Sequence, residues 1–103
     1  RMNKAIFIFL FFVGLMPLQN VLGQRNVDLM LFQTQTYLVN GDYINAIKNA
    51  NEIVLVKPFL YEPYFLRGVA KFYLEDYHGA SMDLNKAIEI KPNSPRAYHY
   101  RAL

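Results

Sequence analysis

Apolar and polar positions alternate with helical spacing along residues 27–103, and no segment shows the period of two that marks a strand. Between Asp42 and Pro58, for example, the apolar residues recur three and four positions apart. Short polar breaks containing Gly, Asn or Pro separate such runs. The pattern predicts an all-α chain with helices over about 27–39, 42–57, 63–74 and 77–91, and a further helix that starts at 95.

Residues that start or stop helices stand at these breaks. Asn26 or Asp28 can cap the first helix, and Ser94 can cap the last, with Pro95 at its first position. Pro63 suits the first turn of the third helix, where a missing N–H costs nothing. The connections are therefore expected to be short, and each helix to pack against its neighbour in the chain.

The N-terminal segment has a different character. A basic start at residues 2–4 precedes an unbroken apolar run over 5–16, which Pro17 ends. This order, closed by the small residue Gly23, is that of a secretory signal peptide, and we predict cleavage before Gln24. The alternative is an uncleaved membrane anchor. The apolar run is shorter than the ~20 residues that a spanning helix needs, which favours the cleaved signal.

The helical part repeats itself at a fixed distance. Seven identities fall at one offset of 34 residues without a gap, and a fixed period of this size is typical of repeat architectures. The matched pairs are Asp42 and Asp76, Tyr43 and Tyr77, Ala46 and Ala80, Lys57 and Lys91, Pro58 and Pro92, Tyr64 and Tyr98, and Arg67 and Arg101.

The chain resembles the tetratricopeptide repeat (TPR) family, whose helix–turn–helix unit has this period. The signature positions match in the stretch over residues 61–94, at Tyr64, Gly68, Tyr77, Ala80, Leu84, Ala87 and Pro92. The resemblance implies an α-solenoid of tandem antiparallel hairpins. Its units are a divergent repeat over 27–60, a full repeat over 61–94, and the start of a third over 95–103. About three repeats are usually needed for stability, so we expect an N-terminal part of a longer protein.

The signature residues have packing roles that follow from their size. Gly68 and Ala80 are small, which lets the two helices of one hairpin approach closely. Tyr64 and Tyr77 are large and fill the space beside them. Ala87 makes room for the first helix of the next repeat. Each hairpin leaves one apolar face that the next hairpin covers.

The resemblance also implies a concave groove lined by the first helix of each repeat. Because the expected lining is apolar and aromatic, it predicts binding of a protein or peptide segment. The alternative is that these residues are core, covered by later repeats of the same full-length chain. The groove positions are Phe32, Gln35, Phe65, Leu66, Val69, Phe72, Tyr73, Arg96, His99 and Tyr100.

The composition argues against other kinds of site. There is no Cys, and His78 and His99 form no metal-binding pattern, so no metal, cofactor or catalytic constellation is predicted. The formal net charge of +3 falls to about +1 without Arg1 and Lys4, because nine Lys and Arg then face eight Asp and Glu. A nucleic-acid partner is therefore disfavoured.

These observations predict a non-enzymatic scaffold or adaptor that binds proteins. The signal segment places it in the periplasm or cell envelope, and a membrane would be involved only if the signal stayed uncleaved. Phrases such as Lys86-Ala87-Ile88-Glu89-Ile90 are typical of bacterial members of the family. The alternative is a sensory or docking region at the N-terminus of a larger envelope enzyme or signalling protein.

Overall fold

A computed structural model describes residues 26–103, and the predicted signal segment at 1–23 lies outside them. All regular secondary structure in the described residues is helical, which confirms the all-α prediction. The helices are α1 (26–39), α2 (Tyr43–Val56), α3 (Tyr61–Tyr73), α4 (Tyr77–Ile90) and α5 (Pro95–Ala102). Among these helices none has the length and apolar character that crossing a membrane would require.

The two helix starts that carry Asp are capped in the same way. Asp42 accepts a hydrogen bond from the Asn45 amide at 3.3 Å, and Asp76 accepts one from the Gly79 amide at 3.0 Å. Each bond satisfies one of the amide groups that a helix N-terminus leaves without a partner. The 34-residue offset therefore repeats the capping geometry as well as the residue type.

Both hairpin turns use a residue in the left-handed region. Gly41 has φ of 79° and Glu75 has φ of 66°. The amides that follow turn back onto the helix, from Asp42 to the Tyr37 carbonyl at 2.8 Å and from Asp76 to the Lys71 carbonyl at 2.9 Å. This is how helices commonly end before a reversal of the chain, and it fixes the antiparallel direction of each hairpin.

Helix α3 lies at the centre of the array, between α2 and α4, and α5 packs on α4. Gly68 explains how closely α3 and α4 approach, because a Cβ placed there would lie 3.0 Å from Leu84 Cγ. Buried side chains of three helices share one core. They are Tyr64, Phe65, Leu66 and Val69 of α3, Leu84 and Ala87 of α4, and Ala97 of α5.

Some helix starts differ from the sequence-based prediction. Asn26 and Asp28 both lie within α1, so neither acts as an N-cap directly before its first turn. Ser94 does precede α5, but its side chain makes no capping bond. Instead, its buried hydroxyl hydrogen-bonds the Tyr61 hydroxyl, because Tyr61 reaches it from the first turn of α3. That bond ties the start of α5 to α3.

Candidate functional site

A groove of about 510 Å³ lies where the C-terminal part of α1 faces the start of α3 and the loop into α5. Three consecutive first helices of hairpins, α1, α3 and α5, therefore contribute to one concavity. We refer to it as the groove. Its lining residues are Gln35, Leu38, Val39, Tyr61, Glu62, Phe65, Leu66, Lys91, Asn93, Ser94, Pro95 and Arg96.

Four of the predicted groove residues line it: Gln35, Phe65, Leu66 and Arg96. Phe32 lies in an adjoining cavity of about 270 Å³, which shares Gln35 and Val39 with the groove. The two cavities thus form a continuous surface along α1.

The exposure of these side chains differs between the floor and the wall. Phe65 and Leu66 are only 5% and 6% exposed, because α3 is flanked by helices on both sides, and they form the floor rather than project outward. The α1 wall is open instead, with Val39 at 85% and Phe32 at 66% exposed. The side chains best able to contact a partner therefore stand on α1.

Two cations lie over aromatic rings at the α5 side of the groove. Lys91 Nζ is 5.2 Å from the centre of the Tyr61 ring, and Arg96 Cζ is 5.1 Å from that of Phe65. These contacts hold the positive charges close to the groove wall. Glu62 is the acidic residue of the lining, so the groove combines apolar surface with charges of both signs.

The other predicted groove residues, Val69, Phe72, Tyr73, His99 and Tyr100, lie outside this cavity. Val69 is buried in the core at 3% exposure. The remaining four belong to an aromatic cluster at the far end of α3. In it the Phe72 ring centre is 5.6 Å from that of Tyr73 and 5.7 Å from that of Tyr100, and the His99 ring is 5.5 Å from Tyr100.

The aromatic cluster links consecutive hairpins through its ring contacts. Tyr43 of α2 stacks on Tyr73 with ring centres 5.3 Å apart and planes within 7° of parallel. Tyr100 of α5 also contacts Tyr73, with ring centres 6.4 Å apart. Hydrogen bonding to Tyr73, followed by burial, raises the pKa of Tyr100 above its usual value. Ring packing thus couples three helices at this end.

The predicted packing residues are mostly buried. Tyr64 also donates a hydrogen bond from its hydroxyl to the Pro58 carbonyl at 2.7 Å, which fixes the loop before α3. Tyr77 is 58% exposed, and its ring meets the edge of Phe72 at 5.6 Å. Pro92 is exposed after the end of α4. The buried members are Tyr64, Gly68, Ala80, Leu84 and Ala87.

An ion network that the sequence analysis missed joins α3 to α4. Asp83, 4% exposed, accepts hydrogen bonds from Arg67 at 2.6 and 2.8 Å, and Lys71 Nζ lies 2.9 Å from it. The bond to Asp83 raises the pKa of Arg67, against the opposing effect of burial. Arg67 also donates to Asn51 of α2 at 3.0 Å. The network therefore spans two hairpins.

A repeat signal for this network was present in the sequence. Arg101 donates to Asn85 at 3.5 Å, and both residues stand 34 positions after Arg67 and Asn51. The pair Asn51 and Asn85 is a further identity at that offset. Among the described residues, no group of three or more His, Cys, Asp or Glu side chains could hold a metal ion.

No family model matches this chain. Among curated proteins, it is similar to Tetratricopeptide repeat protein 37 of Xenopus laevis, with 31% identity over 78 residues. The match covers 76% of this chain but 5% of the frog protein. The chain therefore spans a small fraction of that relative.

Solved structures share the fold. The TPR2B domain of yeast Sti1, in a complex with pHsp70, has a TM-score of 0.70 and 32% identity over 74% of this chain and 61% of its own. The TPR2AB domains of yeast Sti1, in a complex with pHSP90, have a TM-score of 0.71 and 26% identity over 97% of this chain and 40% of their own. The first TPR domain of human RPAP3, at 23% identity and a TM-score of 0.72, covers 75% of this chain and 61% of its own, and it supports the fold alone.

The helical hairpins, their 34-residue period and these similarities all indicate the same fold. The fold is a tandem array of TPR hairpins, and both the sequence relative and the solved structures support the TPR family for this chain.

Proposed function

We propose that this chain is an exported protein-interaction module whose groove binds a peptide segment of a partner protein. The observation that carries the proposal is the apolar wall of α1, where Val39 and Phe32 are 85% and 66% exposed beside a groove of about 510 Å³. Apolar side chains grouped around a concavity are characteristic of recognition surfaces.

The lining suits a peptide that presents an apolar side chain. Val39 on the exposed α1 wall and Leu66 in the floor offer apolar contact, and the exposed Gln35 and Asn93 can hydrogen-bond a peptide backbone. The two yeast Sti1 structures support this use of the fold, because both are complexes, named for pHsp70 and pHSP90. For this chain, the partner is a protein segment of unassigned identity.

Site-specific photocrosslinking tests the binding site. A photoreactive residue at Gln35, in the groove, should crosslink a partner peptide in the envelope fraction, and mass spectrometry of the crosslink identifies that peptide. Val39→Asp should abolish the crosslink, because it puts a charge on the apolar wall. Met82→Asp is the matched control, because Met82 is also exposed, at 62%, but lies on α4 away from the groove. Equal yields from the two variants would contradict the proposal.

The export part of the proposal rests on the basic, apolar and small-residue order of residues 2–23. We propose the bacterial periplasm or cell envelope as the location. A fusion of residues 1–30 to a reporter that is active only after export should be active, and the mature product should begin at Gln24. An inactive fusion would contradict export, and an active fusion that is not cleaved would favour the membrane-anchor alternative.

A further inference from the structure

The outward face of α2 carries a stripe of four exposed residues, which we call the outer stripe. It consists of Ile44, Lys48, Glu52 and Leu55, spaced four, four and three positions apart, so that they lie on one side of the helix. Ile44 and Leu55 are 55% and 84% exposed. The opposite side of α2 holds Ala50, which is fully buried. The outer stripe thus points away from the core, and none of its members lines the groove.

The outer stripe is complementary to itself in the antiparallel direction. Lys48 lies two residues before Ala50 and Glu52 two residues after it. A twofold axis at the level of Ala50 therefore brings Lys48 of each copy to Glu52 of the other. This forms two equivalent ion pairs between opposite charges. The same axis brings Ile44 of each copy to the end of the other helix, which holds Leu55.

We propose that two copies of this chain associate through the outer stripe as a twofold dimer. An interface of this kind uses the same surface on both subunits, so each favourable contact occurs twice. The apolar ends exclude water, and the central charges fix the antiparallel direction. Because one helix per copy forms the interface, we expect a weak dimer, with a dissociation constant on the order of 10–100 µM.

The second hairpin shows that this stripe is not a general property of the repeat. Position by position, α4 has His78, Met82, Lys86 and Glu89 in place of the outer stripe. Lys86 and Glu89 already pair with each other at 3.5 Å. In contrast, no ion pair of Lys48 or Glu52 occurs within residues 26–103. The charges of α2 are therefore available to a second copy, and its apolar ends are what a second copy would cover.

Charge reversal tests the proposal without disturbing the core. Sedimentation velocity of the purified chain should show a concentration-dependent dimer. Lys48→Glu and Glu52→Lys should each raise the dissociation constant roughly 10-fold or more, because each creates two like-charge contacts. A mixture of the two variants should restore the dimer, because every contact in a heterodimer again has opposite sign. That recovery distinguishes pairing of copies from any effect on folding.

Two further variants complete the experiment. Leu55→Asp should weaken the dimer more than either charge reversal, because it places a charge at both apolar ends of the symmetric interface. Lys86→Glu is the matched control, since it makes the same charge change on α4 and should leave the dimer intact. A chain that stays monomeric at several hundred micromolar would overturn the proposal. A dimer that both charge reversals leave unchanged would also overturn it, and so would a mixture of the two variants that fails to restore the dimer.

Discussion

The hairpins α1–α2 and α3–α4 differ at one pair of equivalent positions, one on each helix. In one hairpin the larger side chain is on the first helix, and in the other it is on the second helix. In the second hairpin Gly68 of α3 faces Leu84 of α4. In the first, the residues 34 positions earlier are Thr34 and Ala50, and both are fully buried. A larger residue on the first helix is thus matched by a smaller one on the second. We therefore expect the facing pair, and not either position alone, to set how closely the helices approach.

The hairpins also differ in how their polar groups are used. The Asp83 network with Arg67 and Lys71 has no counterpart in the first hairpin, where the equivalent residues are Asn49, Gln33 and Tyr37. Buried Thr34 instead donates its hydroxyl to the Met30 carbonyl at 2.7 Å, within its own helix. The buried carboxylate of Asp83, shared by Arg67 and Lys71, therefore distinguishes the second hairpin at these equivalent positions.

The largest expected effect comes from replacing the facing residues Gly68 and Leu84 by those of the first hairpin. Gly68→Thr should cost ~1–3 kcal/mol of unfolding free energy, because its Cβ alone would lie 3.0 Å from Leu84 Cγ. Leu84→Ala should cost ~2–5 kcal/mol by leaving a cavity. The double variant, which copies Thr34 and Ala50, should cost less than the sum. Urea unfolding followed by circular dichroism measures all three. Simple additivity would show that the two positions do not form one packing unit.

Removing the carboxylate of the ion network should have the next largest effect. Asp83→Asn should cost ~1–3 kcal/mol, because it removes the negative charge and one of the two acceptor oxygens that Arg67 and Lys71 share, while partial exposure of both cations limits the loss. Asn49→Asp is the matched control in the first hairpin. It adds a carboxylate where the equivalent positions hold no cation, so it should not stabilise the chain. Stabilisation by that control would mean that a buried carboxylate helps either hairpin.

The raised pKa of Arg67 gives this difference a pH dependence. A raised folded-state pKa means that the contribution is fully present below the ordinary arginine pKa and is lost only as the pH rises through the folded value. The destabilisation by Asp83→Asn should therefore stay constant between roughly pH 6 and 9. Urea unfolding across that range measures it, and a progressive loss of the difference toward pH 9 would argue that Arg67 is not the principal partner.

The two turns predict smaller effects of opposite sign. Gly41→Ala should cost ~1 kcal/mol, because Ala is strained at φ of 79° even though its Cβ would meet no atom within 4 Å. Glu75→Gly should stabilise the chain by ~0.5–1 kcal/mol, because it relieves a non-glycine residue in the left-handed region. Thermal unfolding of both variants measures the two changes in stability. If Glu75→Gly is destabilising, the Glu75 side chain makes a contribution that outweighs its backbone strain.

The fold could be predicted because the evidence for it is local. The helix starts near Asp42 and Asp76, the helix ends before Pro58 and Pro92, and the small residue Gly68 all depend on residues within one helix or one hairpin. Spacing along the chain is enough to show them. The order of the helices follows from the period, since each hairpin needs the next to cover its apolar face.

The groove was harder to predict, because exposure depends on neighbours outside the hairpin. Position in the repeat predicted a partner-binding role for Gln35, Phe65, Leu66 and Arg96, which line the cavity, but it could not show that the Phe65 side chain forms the floor. Burial of Phe65 follows from α3 lying between flanking helices. Ser94 shows the same limit, because the hydroxyl that bonds it belongs to Tyr61, 33 residues away in the chain.

The smallest expected effect concerns the contact between successive first helices. Tyr73 and Tyr100 form it between α3 and α5, whereas the residues 34 positions earlier are the apolar Val39 and Leu66. Tyr73→Phe removes the hydrogen bond that is the main cause of the raised pKa of Tyr100, so that pKa should fall toward its ordinary value near 10. Ultraviolet absorbance at alkaline pH, compared with the same titration of Tyr100→Phe, assigns the shift to Tyr100.

The sign of the associated stability change follows from linkage. Because the folded-state pKa of Tyr100 is raised, its contribution is present below the ordinary tyrosine pKa and is lost as the pH rises through the folded value. Wild type should therefore lose slightly more stability than Tyr73→Phe between roughly pH 9 and 11. Tyr43→Phe, which keeps the stacking ring against Tyr73, is the matched control and should behave like wild type. If Tyr43→Phe lowers the pKa of Tyr100 as much as Tyr73→Phe does, the raised pKa arises from burial in the aromatic cluster. The hydrogen bond between Tyr73 and Tyr100, which the equivalent Val39 and Leu66 cannot form, would then not be its cause.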